Sequence, residues 1–107
     1  MIENTRIVLI SSPQDAANKL AREIVENRLG ACVNIFPKVE SYYWWDNAVQ
    51  HDTESQLIVK TSAGKLEALL EFIEKNHPYE LPEVISFEPT DGSAAFAAWI
   101  NKETEGE

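Results

Sequence analysis

Hydrophobic and polar positions along this chain alternate between two periods, and the switches between them predict its elements. Ile7-Val8-Leu9-Ile10 is a short, fully apolar, β-branched run, which reads as a central strand. Ser12-Pro13-Gln14-Asp15 then predicts a helix start, with Ser12 as N-cap and Pro13 at the first helical position. Ala17, Leu20, Ala21, Ile24 and Val25 recur at helical spacing, and Gly30 is expected to end that helix. Ala31-Cys32-Val33-Asn34-Ile35-Phe36 alternates enough to be a strand, and Pro37, which cannot donate to a ladder, predicts an edge or a bulge. The extended stretch resumes from Val39 to Trp45, turns around Asp46-Asn47 and returns over residues 54–61. Leu66, Leu69, Leu70 and Ile73 mark a second amphipathic helix that stops at Asn76-His77-Pro78. Val84-Ile85-Ser86-Phe87 predicts a fourth strand, and Asp91-Gly92-Ser93 introduces a short helix carrying Phe96, Trp99 and Ile100.

The order is β-α-β-β-α-β with a C-terminal helix, the split βαβ or ferredoxin-like pattern of an α+β domain. Helices on one face of an antiparallel sheet account for every apolar run. A length of 107 residues predicts one domain over residues 1–107. Glu103, Glu105 and Glu107 mark residues 101–107 as an acidic tail, expected to be frayed.

The second extended arm, from Ala31 to Trp45, would span roughly 50 Å at ~3.3 Å per residue. A domain of this size has a radius of gyration of ~13 Å, so such an arm outreaches its own body. Its distal half, Ser41-Tyr42-Tyr43-Trp44-Trp45, puts aromatic rings on both faces of a strand. Rings on both faces, far from their own core, predict an obligate oligomer with Tyr42, Tyr43, Trp44 and Trp45 in the interface. The alternative is that Pro37 bends the arm back onto its own helices.

Composition removes several classes. A net charge of −9 without any basic stripe argues against nucleic acid. One cysteine, Cys32, excludes an intrachain disulfide. The opening residues carry no secretory pattern, and no run approaches the ~20 apolar residues of a membrane span. A reducing cytoplasm is the simplest compartment.

The densest chemistry lies in His77-Pro78-Tyr79-Glu80-Leu81-Pro82-Glu83, where two prolines stiffen a loop bearing an imidazole, a phenol and carboxylates. His77 with Glu80 and Glu83 is a plausible site for a borderline metal such as Cu(II) or Zn(II); the bland alternative is a structural histidine in a helix-stop turn. Cys32 is a small buried hydrophobe unless another donor approaches it. Lys60 and Thr61 end a strand beside a helix start, so Lys60 could hold an anion or snorkel out of the sheet, and Thr61 or Ser62 could cap the helix. His51 beside the hairpin turn reads as solvated. No CxxC, HExxH or G-x-S-x-G occurs, and the first strand-to-helix turn has neither glycine nor arginine to cradle phosphate. An enzyme is not expected; a hydrolase using Glu80 or His77 as base lacks a nucleophile.

Four segments in register, residues 31–35, residues 41–45, Lys60-Thr61 and residues 77–83, resemble the CutA divalent-cation tolerance family. The resemblance runs from about Thr5 to Trp99. It implies a ferredoxin-like homotrimer, similar to the nitrogen-regulatory PII signalling proteins, that binds copper or another divalent metal in clefts between subunits. Carried over position by position, Cys32, His77 and Glu80 become the metal candidates, and Trp44, Lys60, Thr61, Tyr79 and Glu83 the cleft lining. Two positions depart from the family pattern: Asn47 stands where glycine is frequent, and Phe96 where tyrosine is common. The implied function is a non-enzymatic trimer that binds divalent metal, Cu(II) foremost, without organic cofactor. The alternative is a PII-like module that binds a small metabolite or anion through Lys60 and a partner protein through the hairpin.

Overall fold

The computed structural model describes residues 2–105. Its elements follow the expected order: β1 Thr5–Ser12, α1 Ala17–Glu26, β2 Cys32–Trp45, β3 Ala48–Ser62, α2 Leu66–Asn76, β4 Val84–Phe87 and α3 Ala94–Thr104. The strands form one antiparallel sheet in the order β2-β3-β1-β4, so the apolar β1 is internal, as its composition requires. This is the α+β, ferredoxin-like arrangement.

Residues directly opposite in an antiparallel pair share a face. The pairs Val8–Val59 and Ile10–Leu57 lie on the face covered by helices, where all four side chains are fully buried. Leu20 and Ile24 from α1 and Leu69 and Ile73 from α2 complete that core. The alternate set, Leu9 with Ile58 and Ile85 and Ile7 with Phe87, lines the other face; α3 packs at its Ser62 end, where Thr104 Oγ1 lies 2.9 Å from Ser62 Oγ, so the helices do not all share one face as expected. Phe36, Ile85 and Phe87 are each about half exposed there, with Phe36 at 51%.

β3 pairs with β1 only from Ser55 onward, so the distal arm is a two-stranded ribbon. It closes on Asp46 and Asn47 at φ 56° and 62°, the two positive values of a two-residue hairpin turn. The predicted irregularity at Pro37 is a register shift between Phe36 and Val39. Lys38 sits there at φ 61°, and its N–H donates to Gln14 Oε1 at 2.6 Å. The longest dimension of the whole molecule is 44 Å, so twist and the bulge shorten the arm below the 50 Å expected of a straight strand.

Three local expectations are corrected. Ser12 is not a cap: its hydroxyl donates to Pro13 O at 2.8 Å, and α1 is entered through a 3-10 turn at Gln14–Ala16. Gly30 does not end α1, which stops at Glu26 with Arg28 in the left-handed region at φ 60°. Glycine is needed at position 30 for space, because a Cβ there would stand 2.6 Å from Val59 Cγ1 and 3.1 Å from Ile24 Cγ2. The frayed tail does not begin at residue 101: α3 continues to Thr104, which is 1% exposed and bonded to Ile100 O. Glu103 accepts from Arg28 at 2.9 Å, while residues 106 and 107 lie outside the described residues. α3 itself starts as expected, with Ser93 Oγ accepting from Phe96 N–H at 3.1 Å.

Candidate functional site

A groove of about 680 Å³ lies between the distal arm of β2 and the loop after α2. One wall is Tyr42, Tyr43, Trp44 and Trp45; the other is Tyr79 to Glu83. Glu40, Glu54, Glu80 and Glu83 supply its charge, and no lysine, arginine or histidine lines it. The hairpin register explains why the rings and acids meet. Counting back from the turn pairs Trp45 with Ala48, Tyr43 with Gln50 and Ser41 with Asp52. That places Tyr43 diagonally across from Asp52, whose carboxylate accepts its hydroxyl proton. Tyr79 reaches the same ribbon from the loop and donates to Glu54 Oε1 at 2.7 Å. Desolvation, then the bond to Glu54, raises the Tyr79 phenol above its ordinary value; the bond to Asp52 is the main cause for Tyr43.

His77 fixes the loop wall. Its ring is 9% exposed, and its Nε2 lies 2.6 Å from Ser11 O, a contact only an Nε2–H can make as donor. Its Nδ1 accepts from Tyr79 N–H at 3.0 Å. Both ring nitrogens are therefore engaged within the protomer. Ligation of a metal by His77 would require breaking one of these hydrogen bonds. Thr61 is fully buried and donates to Leu29 O at 2.8 Å, away from the groove.

Cys32 and Lys60 pair directly across β2 and β3, and Lys60 Nζ is bonded to Asn34 Oδ1. Ser11, where His77 is anchored, pairs with Gln56. Lys60 and Gln56 are four residues apart on β3, about 13 Å along the strand at ~3.3 Å per residue. The expected site thus divides into a Cys32–Lys60 patch and the acidic groove, at opposite ends of the open sheet face. Cys32, His77 and Glu80 do not converge, and among the described residues no group of three His, Cys, Asp or Glu side chains could hold a metal ion. Glu80, Glu83, Tyr79 and Trp44 do line the groove; Lys60 and Thr61 do not.

Sequence reasoning missed Glu40, Asp52 and Glu54. The signal was present in the register, because fixing the turn at Asp46-Asn47 sets every cross-strand neighbour of the aromatics. His51, expected in solvent, is exposed; it also stacks on Tyr42 with ring centroids 4.2 Å apart and lies 2.5 Å from Glu40 Oε1.

Fold and groove define a class: a ferredoxin-like domain with a projecting aromatic hairpin and an acidic cleft. Residues 6–103 match the family model described as CutA1 divalent ion tolerance protein, and the chain belongs to that family. It is 43% identical over 99 residues to the chloroplastic protein CutA of Arabidopsis thaliana, covering 92% of this chain and 54% of that protein. The chain therefore spans about half the length of that plant relative. Among solved structures, CutA1 from Oryza sativa superposes with a TM-score of 0.92 at 38% identity, covering 97% of this chain and 96% of the other. A PII-like protein CutA from Nostoc superposes at 0.89 with 33% identity, covering 94% and 97% respectively. Among the described residues no helix is long and apolar enough to cross a membrane.

Proposed function

We propose that this chain is a non-enzymatic, cytoplasmic homotrimer that collects cations in acidic grooves bordering its subunit contacts, as a divalent-cation tolerance protein. The carrying observation is the groove's charge: four glutamates line it with no basic side chain, in a chain of net charge −9. Three features support assembly. The distal hairpin is a two-stranded ribbon, which is marginal by itself. Trp44 and Tyr42 are 74% and 71% exposed on it. The open sheet face carries Phe36, Ile85 and Phe87, and beside them Gln56 Nε2 is buried without an acceptor among the described residues.

Within one protomer the groove offers oxygen donors, which suit hard cations; Cu(II) prefers imidazole or thiolate. His77 is engaged and Cys32 lies at the far end of the sheet, so Cys32 could join a groove only across a subunit contact. The competing reading, a PII-like module that holds an anion through Lys60 and docks a partner protein, needs Lys60, the direct cross-strand partner of Cys32, to reach a groove across the same contact.

Sedimentation of the purified protein is expected to give a trimer mass, and calorimetric titration with Mn(II) saturable uptake. The double variant Glu54→Gln/Glu80→Gln is expected to weaken that uptake about tenfold, about 1.4 kcal/mol. A monomer mass would sink the assembly, and undiminished uptake in the variant would sink the groove.

A further inference from the structure

We propose that Asp91-Gly92 is a self-modification site, where the backbone closes on the aspartate side chain and reopens as an isoaspartyl linkage that loosens the start of α3. It is the one aspartyl- or asparaginyl-glycine pair in the chain. Ring closure needs the next residue's amide nitrogen to reach the side-chain carboxyl carbon, and only glycine has no Cβ to obstruct that approach. Here the nitrogen already sits against the carboxyl it would attack: Gly92 N–H donates to Asp91 Oδ1 at 2.8 Å. Holding reacting groups together is what makes an intramolecular attack fast. Both residues are exposed, in the stretch between β4 and α3, where no ladder or helix restrains them. Phe87, the last residue of β4, pairs with Ile7, so this stretch leaves the sheet at the end remote from the hairpin.

The atoms balance with water alone. From the carboxylic acid form of Asp91, Gly92 N bonds to Cγ while one carboxyl oxygen leaves as water, taking its own hydrogen and the amide's. The five-membered succinimide then adds water at one of its two carbonyls. Opening at Cγ restores aspartate. Opening at the main-chain carbonyl of Asp91 leaves the chain running through Cβ and Cγ, one backbone atom longer, with a free carboxylate on Cα. That atom enters two residues before the cap of α3. Ser93 Oγ accepts from Phe96 N–H at 3.1 Å and Ser93 O from Ala97 N–H at 3.0 Å, and both bonds need Ser93 in one position. The far end of α3 is held independently, by buried Thr104 bonded to Ile100 O and by Arg28 donating to Glu103. The insertion therefore frees the first turn, with Phe96 and its stack on Trp99, and leaves the last turn in place.

The test ages the purified full chain at neutral pH and body temperature and digests it with trypsin. Peptide 76–102 holds Asp91 as its one aspartate, with Asn76 and Asn101, neither followed by glycine, as internal controls. Isoaspartate at position 91 is expected to accumulate, read by fragmentation and by an isoaspartyl-specific methyltransferase, with a transient species lighter by one water. Gly92→Ala is expected to slow it about tenfold. Among the described residues the added methyl meets only Ile2 Cδ1, at 3.9 Å, so that variant keeps the fold. Asp91→Glu, which would have to close a six-membered ring, is expected to slow it as well. In the aged parent the Phe96 amide is expected to lose hydrogen-exchange protection while the buried Ile100 keeps it. Absence of isoaspartate at position 91, or equal accumulation in Gly92→Ala, overturns the site. Isoaspartate there with Phe96 still protected overturns the loosening of α3.

Discussion

His77→Ala separates the two roles that a histidine at this position can play. The substitution deletes the acceptor of Tyr79 N–H and the donor to Ser11 O, at a site only 9% exposed. Each bond contributes ~1 kcal/mol net, and a buried group left without a partner costs about 1–3 kcal/mol. Removing the ring also leaves a void beside Tyr79, whose ring centroid lies 4.9 Å away. The sum is a destabilisation of about 3 kcal/mol, or a fall in melting temperature of roughly 15 °C for a domain of this size. Differential scanning calorimetry at fixed protomer concentration reads the first effect. Hydrogen exchange at the Tyr79 amide reads the second, with protection lost in the variant. A variant that melts with the parent, keeps Tyr79 protected and loses only metal uptake would refute the brace and restore His77 as a ligand.

Three further outcomes follow from the same geometry. In alkaline titration followed by phenolate absorbance, Tyr43 and Tyr79 are expected to ionise above the ordinary value of about 10, and Tyr79→Phe to shrink the late fraction. Because the folded phenols hold their protons longer than the unfolded ones, their stabilisation is complete below about pH 10 and declines as pH rises beyond it. Gly30→Ala is expected to cost about 1–3 kcal/mol by chemical denaturation, since the added methyl meets Val59 and Ile24 inside contact distance. Thr61→Val is expected to cost about 1–3 kcal/mol by orphaning Leu29 O, with groove binding unchanged.

The elements were legible because their periods are clean, and the turn because Asp46 and Asn47 tolerate positive φ. Gly30 was misread for a physical reason. A glycine after a helical run signals a cap, yet here Arg28 takes the left-handed position and Gly30 yields space to Val59. The 77–83 loop was legible as chemistry but not as a role, since nothing local reveals that a carbonyl 66 residues away reaches the ring. Lys60 and Tyr79 were joined by resemblance in a cleft between subunits; within one protomer the sheet register sets them at opposite ends of one face. Glu54 needed that same register before it could be seen beside Tyr79.

The most direct test of the groove is paramagnetic broadening by Mn(II) of the three tryptophan indole N–H signals. Trp44 and Trp45 border the groove, and Trp99 stacks on Phe96 in α3. The account predicts that sub-stoichiometric Mn(II) broadens the Trp44 and Trp45 signals, spares Trp99, and loses this selectivity in Glu54→Gln/Glu80→Gln. Uniform broadening, or broadening centred on Trp99, would contradict it.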